Sequence, residues 1–286
     1  MPKRFAAVPH QYQLANGLQL AGWRLGTPSD VSPTLALHGW LDNANSFLPL
    51  ARALPELDWL SLDFAGHGHS SHRAGAYHFV DYVSDLYELC RQQQWQALTL
   101  VGHSMGAMVA CAFAAAFPEL VRRVVLIDAM GLMTAEATDV AAQLRQGILS
   151  RLHSAQKQMP RYADVIQAAQ ARQKQSDFDI NTALLLAERG TVEVNDGVTW
   201  RSDVKLREVS AIRYTPEHAH LLLAQIQCPV LAIIATDGLP LTQQAVQRYA
   251  NDFQKLTLVN LPGGHHLHLT NTTVVADVIQ RFFREN

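Results

Sequence analysis

The stretch from Val121 to Asp128 contains four consecutive apolar residues, Val124-Val125-Leu126-Ile127, and such a strand must be covered on both faces. It does not stand alone. Asp58 to Phe64, Ala97 to Val101 and Pro229 to Ala235 carry similar short apolar runs, and helical periodicity separates them. Phe79 to Gln94 places Val80, Val83, Leu86, Tyr87 and Cys90 along one face, and Met105 to Phe117 is Ala-rich, packed closely, and stopped by Pro118. Strands alternating with helices in this way predict an α/β fold, with a mostly parallel sheet between two helical layers.

Further elements fill in the order. Two strand-like runs from Gln11 to Leu25 flank Asn16-Gly17, a dipeptide suited to a tight hairpin turn, and predict an antiparallel edge. Thr34 to Leu37 reads as a buried strand ending in His38-Gly39-Trp40, and Asn45 to Leu54 as a helix. After Asp128 the alternation breaks from Gly131 to about Glu217, where the chain is rich in Gln and Ala and helical in period. One strand-like piece interrupts it, from Thr191 to Trp200 around Asn195-Asp196-Gly197. The pattern then resumes through a helix at Thr242 to Asn251, a last strand at Lys255 to Leu261 and a final helix at Asn271 to Arg284. With 286 residues and a prior of about 150 per domain, the expected division is a core of 1–130 and 218–286 with a mainly helical cap of 131–217.

Composition narrows the function classes. A net charge of -2, from 23 basic and 25 acidic residues without like-charge blocks, gives no footprint for nucleic acid or an anionic membrane. The expected partner is a small-molecule substrate, and the expected state a monomer or homodimer. Cys90, Cys111 and Cys228 lie far apart in apolar stretches, as buried thiols of a reducing compartment do. The start, Met1-Pro2-Lys3-Arg4, leads into no apolar core of a signal peptide, so the cytoplasm is the expected location.

Gly102-His103-Ser104-Met105-Gly106 matches G-x-S-x-G between a strand and a helix, the context that gives this pattern chemical meaning. The turn is so sharp that its flanking residues must be small, and it lifts the serine hydroxyl clear of the sheet. The backbone N–H of Met105, at the helix N-terminus, can then face an oxyanion. A serine hydroxyl needs a base, and Gly263-Gly264-His265-His266-Leu267-His268 follows the last strand. His265 is the first candidate and His266 the second, with His268 packing at the start of the next helix. A metal site on these histidines is disfavoured because no acidic or cysteine partner accompanies them in the sequence. The base needs a carboxylate to hold its tautomer. Asp237 follows the first strand after the insertion and is the leading choice, with Asp128, at the end of the strand before it, as the alternative.

His38-Gly39-Trp40 follows the third strand, where the Trp40 N–H would be the second oxyanion donor and its side chain would line the pocket. His38, Gly39, His103 and Trp200 are expected to contact substrate. Tyr162, Phe178, Leu184 and Tyr214 are further candidates for the pocket wall. Asp42 and Asn43 read as pocket-edge or loop-bracing groups, and Asp63 with Gly66-His67-Gly68-His69-Ser70 as a structural turn. Neither G-x-G-x-x-G nor a P-loop with Lys is present.

In this order the pieces resemble the α/β-hydrolase superfamily over nearly the whole chain outside the insertion. His38-Gly39-Trp40-Leu41-Asp42-Asn43, Gly102-His103-Ser104-Met105-Gly106, Val198-Thr199-Trp200-Arg201-Ser202-Asp203 and Gly264-His265-His266-Leu267-His268 resemble its serine-hydrolase-like branch. The resemblance implies an eight-stranded, mostly parallel sheet, a helical cap after the sixth strand, a Ser, acid and His triad, and no cofactor. It implies hydrolysis of an ester-like substrate, a carboxylic ester or thioester, through an acyl-enzyme on Ser104. Serine at the nucleophile position argues against the carboxylate chemistry of epoxide hydrolases and haloalkane dehalogenases. Carbon–carbon bond hydrolysis, cofactor-free perhydrolysis and a non-catalytic ligand-binding role share the same residues. The usual Gly-x-x-Asp before the acid reads Ile234-Ala235-Thr236-Asp237 here, so the resemblance leaves the acid open.

Overall fold

The protein is described by a computed structural model covering residues 6–28, 32–154 and 156–286, so the segment beginning Met1-Pro2-Lys3-Arg4 lies outside the described residues. Strands β1 (Val8–Gln13) and β2 (Gln19–Gly26) form the expected hairpin about Asn16-Gly17. They are followed by β3 (Thr34–Leu37), α1 (Leu48–Ala53), β4 (Asp58–Leu62), α2 (Phe79–Gln92), β5 (Leu98–His103), α3 (Met105–Ala116) and β6 (Val121–Ile127). The insertion supplies α4 (Val140–Ser154), β7 (Arg161–Tyr162), α5 (Val165–Gln173), α6 (Ile180–Gly190), β8 (Thr191–Val194) and β9 (Gly197–Trp200), and α7 (Pro216–Leu223) leads back to the core, where Ala219 and Leu223 are buried. The core closes with β10 (Val230–Ala235), α8 (Pro240–Tyr249), β11 (Leu256–Leu261), α9 (Leu267–Thr270) and α10 (Thr272–Glu285).

Eight strands form one sheet in the order β1-β2-β4-β3-β5-β6-β10-β11. β1 and β2 run antiparallel to their neighbours, and every other pairing is parallel. The period-2 geometry of a strand divides the apolar runs between the two faces. Val124 and Leu126 of β6 join Leu86 and Leu89 of α2 and Phe113 of α3 on one side. Val125 and Ile127 join Leu50 of α1 and Ile279 and Phe282 of α10 on the other. Each fully buried side chain of this kind contributes roughly 1.5–3 kcal/mol, so a strand apolar on both faces is anchored twice over.

The insertion leaves the sheet after β6 and returns at β10. It adds a three-stranded antiparallel sheet, β7-β9-β8, whose shortest member is two residues long and gave no sequence signal. A small apolar cluster of Ala169, Phe178, Ala183, Leu186 and Ala187 holds α5 and α6 together and reaches Leu269 of the core. Polar contacts fasten this half further. Arg189 pairs with the wholly buried Asp63 at 2.7 Å, and Asn43 and Asn45 donate to the carbonyls of Leu186 and Leu185 at 2.8 and 2.9 Å. Asp63 also accepts from the N–H groups of Ala44 and His69, which agrees with its structural reading. Among the described residues no helix is long and apolar enough to cross a membrane.

Candidate active site

Ser104 stands between β5 and α3 with φ 51° and ψ -118°, a left-handed backbone conformation that a non-glycine residue adopts only at a cost. The corner is possible because its flanks are glycine. A Cβ on Gly102 would lie 2.4 Å from the Gly106 carbonyl oxygen, and one on Gly106 would lie 1.9 Å from that of Leu37. The turn predicted from G-x-S-x-G is therefore enforced by close backbone packing on both sides.

His265 lies in the loop between β11 and α9. Its Nε2 is 3.0 Å from Ser104 Oγ, and its Nδ1 donates to Asp128 Oδ2 at 2.6 Å. The Asp128 carboxylate is wholly buried, and its second oxygen accepts from the backbone N–H of Ala235 at 3.0 Å. These contacts fix the geometry of all three groups: the carboxylate orients the ring, and the ring presents its other nitrogen to the hydroxyl.

The leading choice for the acid is corrected here. Asp237 is exposed, accepts a hydrogen bond from the Thr236 hydroxyl at 3.1 Å, and makes no contact with His265. It does not cap α8 either, whose N-cap is Leu239 without a side-chain bond. The reason lies in the next residue. A Cβ on Gly238 would sit 2.6 Å from both carboxylate oxygens of Asp128, so the loop after β10 packs over a carboxylate already in place. Asp128 itself turns at φ 44°, which aims its side chain from the end of β6 towards the loop that carries His265. That alternative was legible in the sequence; the packing that selects it was not.

A cavity of about 750 Å³ opens over the serine, lined by Ser104, Asp128 and His265 together with Met108, Met130, Leu132, Met133, Leu239, Leu241 and Tyr249. Leu132, Met133, Thr134 and Arg213 come from the inserted segment. The residues expected to contact substrate lie elsewhere. His38 is fully buried, with Nδ1 donating to the Gly39 carbonyl at 2.7 Å and Nε2 accepting from Phe64 N–H at 3.0 Å, and so braces two loops. Gly39 packs against His103 and Asp42. The imidazole of His103 is fully buried and donates from Nε2 to the His265 carbonyl at 2.9 Å, tying the loop of one histidine to the serine corner. Trp200 packs on the α5–α6 cluster, with Tyr162 edge-on at 6.4 Å, and Phe178 and Leu184 belong to that cluster. Tyr214 pairs through its backbone with Thr134. None of these side chains lines the cavity.

Trp40 also differs from expectation, being half exposed with Nε1 donating to the Leu206 carbonyl at 2.9 Å and not lining the cavity. Its backbone N–H, like that of Met105, has no hydrogen-bond partner among the described residues, so both remain available as donors.

Behind His265 lies a second histidine site that spacing alone missed. His266 Nδ1 and its backbone N–H both bond the Asp177 carboxylate, the latter at 3.0 Å, and its Nε2 is 3.5 Å from Asp42. The other oxygen of Asp42 accepts from Arg172 at 2.8 Å. The expectation that no acidic partner accompanies these histidines is thus overturned: Asp42 and Asp177 arrive from 224 and 89 positions away in the chain. Ligand atoms of Asp42, His103 and His266 lie within 4.8 Å of one another, the spacing a metal ion needs. Burial alone would push His266 down, but the hydrogen bonds and charges of Asp177 and Asp42 outweigh it and raise its pKa to about 9. Protonated, it balances the two carboxylates together with Arg172. His268 packs against His103 at 4.2 Å; burial first, then the His266 charge, lower its pKa to about 3. Cys90, Cys111 and Cys228 are buried, and none of them is in a disulfide.

Comparison with known proteins identifies the fold family. The model of the alpha/beta hydrolase fold family matches residues 35–272. A serine hydrolase-like protein of Danio rerio is 34% identical over 271 residues, covering 90% of this chain and 83% of the relative. Human serine hydrolase-like protein 2 is 29% identical over 272 residues, covering 88% and 87%. The crystal structure of a hypothetical protein from Pseudomonas aeruginosa PAO1 superposes with a TM-score of 0.88 at 36% identity, covering 98% of this chain and 99% of that one. The chain belongs to the α/β-hydrolase fold family and resembles its serine hydrolase-like branch.

Proposed function

We propose that the protein is a serine hydrolase that cleaves a carboxylic ester or thioester of a small molecule, with Ser104 as nucleophile, His265 as base and Asp128 as the orienting carboxylate. The observation that carries this reading is the unbroken relay from Asp128 Oδ2 through His265 to Ser104 Oγ, with links of 2.6 and 3.0 Å. His265 takes the serine proton as Oγ attacks the carbonyl carbon, and the imidazolium that forms is stabilised by the buried Asp128 carboxylate. The oxyanion of the tetrahedral intermediate accepts from the Met105 and Trp40 N–H groups, and losing one such donor costs about 3–4 kcal/mol of barrier. His265 then protonates the leaving group. In the second half it deprotonates water, which releases the acid and restores Ser104.

The segment 131–217 acts in this reading as a cap, and the core is 1–130 with 218–286. Support comes from its share of the cavity wall, through Leu132, Met133, Thr134 and Arg213. A cavity lined mainly by aliphatic side chains, Met and Tyr suits an apolar acyl chain and limits water at the reacting carbonyl. The buried thiols, none of them in a disulfide, support a cytoplasmic location. Hydrolysis of 4-nitrophenyl esters of graded chain length by wild type and Ser104→Ala tests the reading. We expect turnover by wild type and a loss of at least about 10³-fold in the variant. Equal rates would overturn it.

A further inference from the structure

We infer that Arg213 forms an anion subsite within the cavity over Ser104, and that the substrate is an ester or thioester carrying a carboxylate or phosphate remote from the reacting carbonyl. This rests on the hydrolase reading above and extends it to substrate class.

The cavity is largely apolar, and three of its lining residues carry formal charge: Asp128, Arg213 and Arg248. Asp128 is sealed beneath the ring of His265 and committed to two hydrogen bonds. Arg248 has an acidic neighbour, Glu136, at 3.4 Å. Arg213 is half-buried and makes no ion pair or hydrogen bond among the described residues. A guanidinium removed in part from water is costly to hold without an acceptor, and its planar fork fits two oxygens of a carboxylate or phosphate at once. Among the described residues, the cavity therefore holds one cation still lacking a counter-charge.

The position of Arg213 is fixed by its neighbours. The adjacent residue, Tyr214, forms a parallel bridge with Thr134, and its carbonyl accepts from Ala135 N–H at 2.9 Å. That bridge joins the segment before α7 to the one following Met133, so two walls of the cavity are laced together beside the guanidinium. The side chain thus projects from a braced backbone into a space shared with the reacting serine.

The two sources of the anion, the acyl arm and the leaving group, are separated by substrate choice. One pair is 4-nitrophenyl hexanoate and the mono-4-nitrophenyl ester of adipic acid, of equal chain length, the second bearing an acyl-side carboxylate. The other is 2-nitrophenyl hexanoate and 3-hexanoyloxy-4-nitrobenzoate, the second bearing a carboxylate on the leaving group. With the full-length enzyme, we expect one anionic ester to be preferred over its neutral partner in kcat/KM. Arg213→Gln should lower that preference by roughly 10- to 100-fold, mainly through KM, and Arg213→Lys should restore part of it. Added salt should weaken the preference in wild type and not in Arg213→Gln. A wild-type enzyme with no preference in either pair, or an Arg213→Gln variant with an unaltered ratio, would overturn the inference. Ser104→Ala is run beside them: persistent turnover there overturns the nucleophile assignment, a different failure from a missing anion preference.

Discussion

Asp128 accepts from Nδ1 of His265, and Asp177 accepts from Nδ1 of its chain neighbour His266, yet the two pairs stand in different surroundings. The Nε2 of His265 meets a hydroxyl at the floor of an open cavity, whereas that of His266 meets the carboxylate of Asp42 in the protein interior. One ring therefore has somewhere to send a proton, and the other is held between two fixed negative charges. A histidine and a carboxylate at bonding distance do not by themselves make a catalytic pair; what the second ring nitrogen faces decides between chemistry and structure. The two pairs are also built from different parts of the chain. Asp128 belongs to the sheet, and Asp177 belongs to the insertion, so His266 fastens the inserted segment directly behind the loop of the proposed base.

The largest effect that could break this distinction is at the front pair. Asp128→Asn should lower kcat for a 4-nitrophenyl ester by roughly 10⁴-fold, because the amide favours the wrong tautomer of His265. An Asp128→Asn enzyme within tenfold of wild type would remove the distinction between the two carboxylates. At the rear pair the expected loss is in stability. His266→Gln keeps hydrogen-bonding capacity but withdraws the positive charge between Asp42 and Asp177, and should cost on the order of 3 kcal/mol in urea unfolding at pH 6. A variant as stable as wild type would mean that this network is not what holds the insertion.

The same comparison has a pH signature. The pKa of His266 is raised by folding from 6.5 to about 9, so its contribution is fully present below pH 6.5 and is lost as pH rises through 9. The stability gap between wild type and His266→Gln should consequently narrow between pH 6.5 and 9.5. A gap that stays constant or widens over that range contradicts the charged assignment. The smallest effect is expected at the exposed carboxylate: Asp237→Asn should change kcat by less than about threefold, the scale of a surface substitution. A loss comparable to that of Asp128→Asn would return the acid role to the loop after β10.

Why the sequence revealed one member of the relay more clearly than another follows from where each is determined. Ser104 is marked locally, since a corner this tight demands Gly102 and Gly106 within two residues of it. His265 is marked by its place after the last strand and its preceding glycine. Asp128 and Asp237 both follow sheet strands, and local sequence treats them alike. They are separated by the packing of Gly238 over one carboxylate and by the turn at Asp128, which depend on β6 and β10 lying side by side. The roles given to His38 and His103 failed for a related reason: both sit at the ends of strands facing the serine corner, but their side chains turn inward to bond Phe64 and His265. The Asp177–His266 contact joins residues 89 positions apart, and neither carries a spacing motif. The succession of strands and helices and the helical character of the insertion were legible because each rests on periodicity repeated over many residues.

Labelling of the intact protein with a fluorophosphonate probe, with the modified peptide identified by mass spectrometry, tests the central claim most directly. The account predicts a single adduct on Ser104, formed rapidly in wild type and Asp237→Asn and greatly slowed in Asp128→Asn. No adduct in wild type, or an adduct on a different serine, would contradict it.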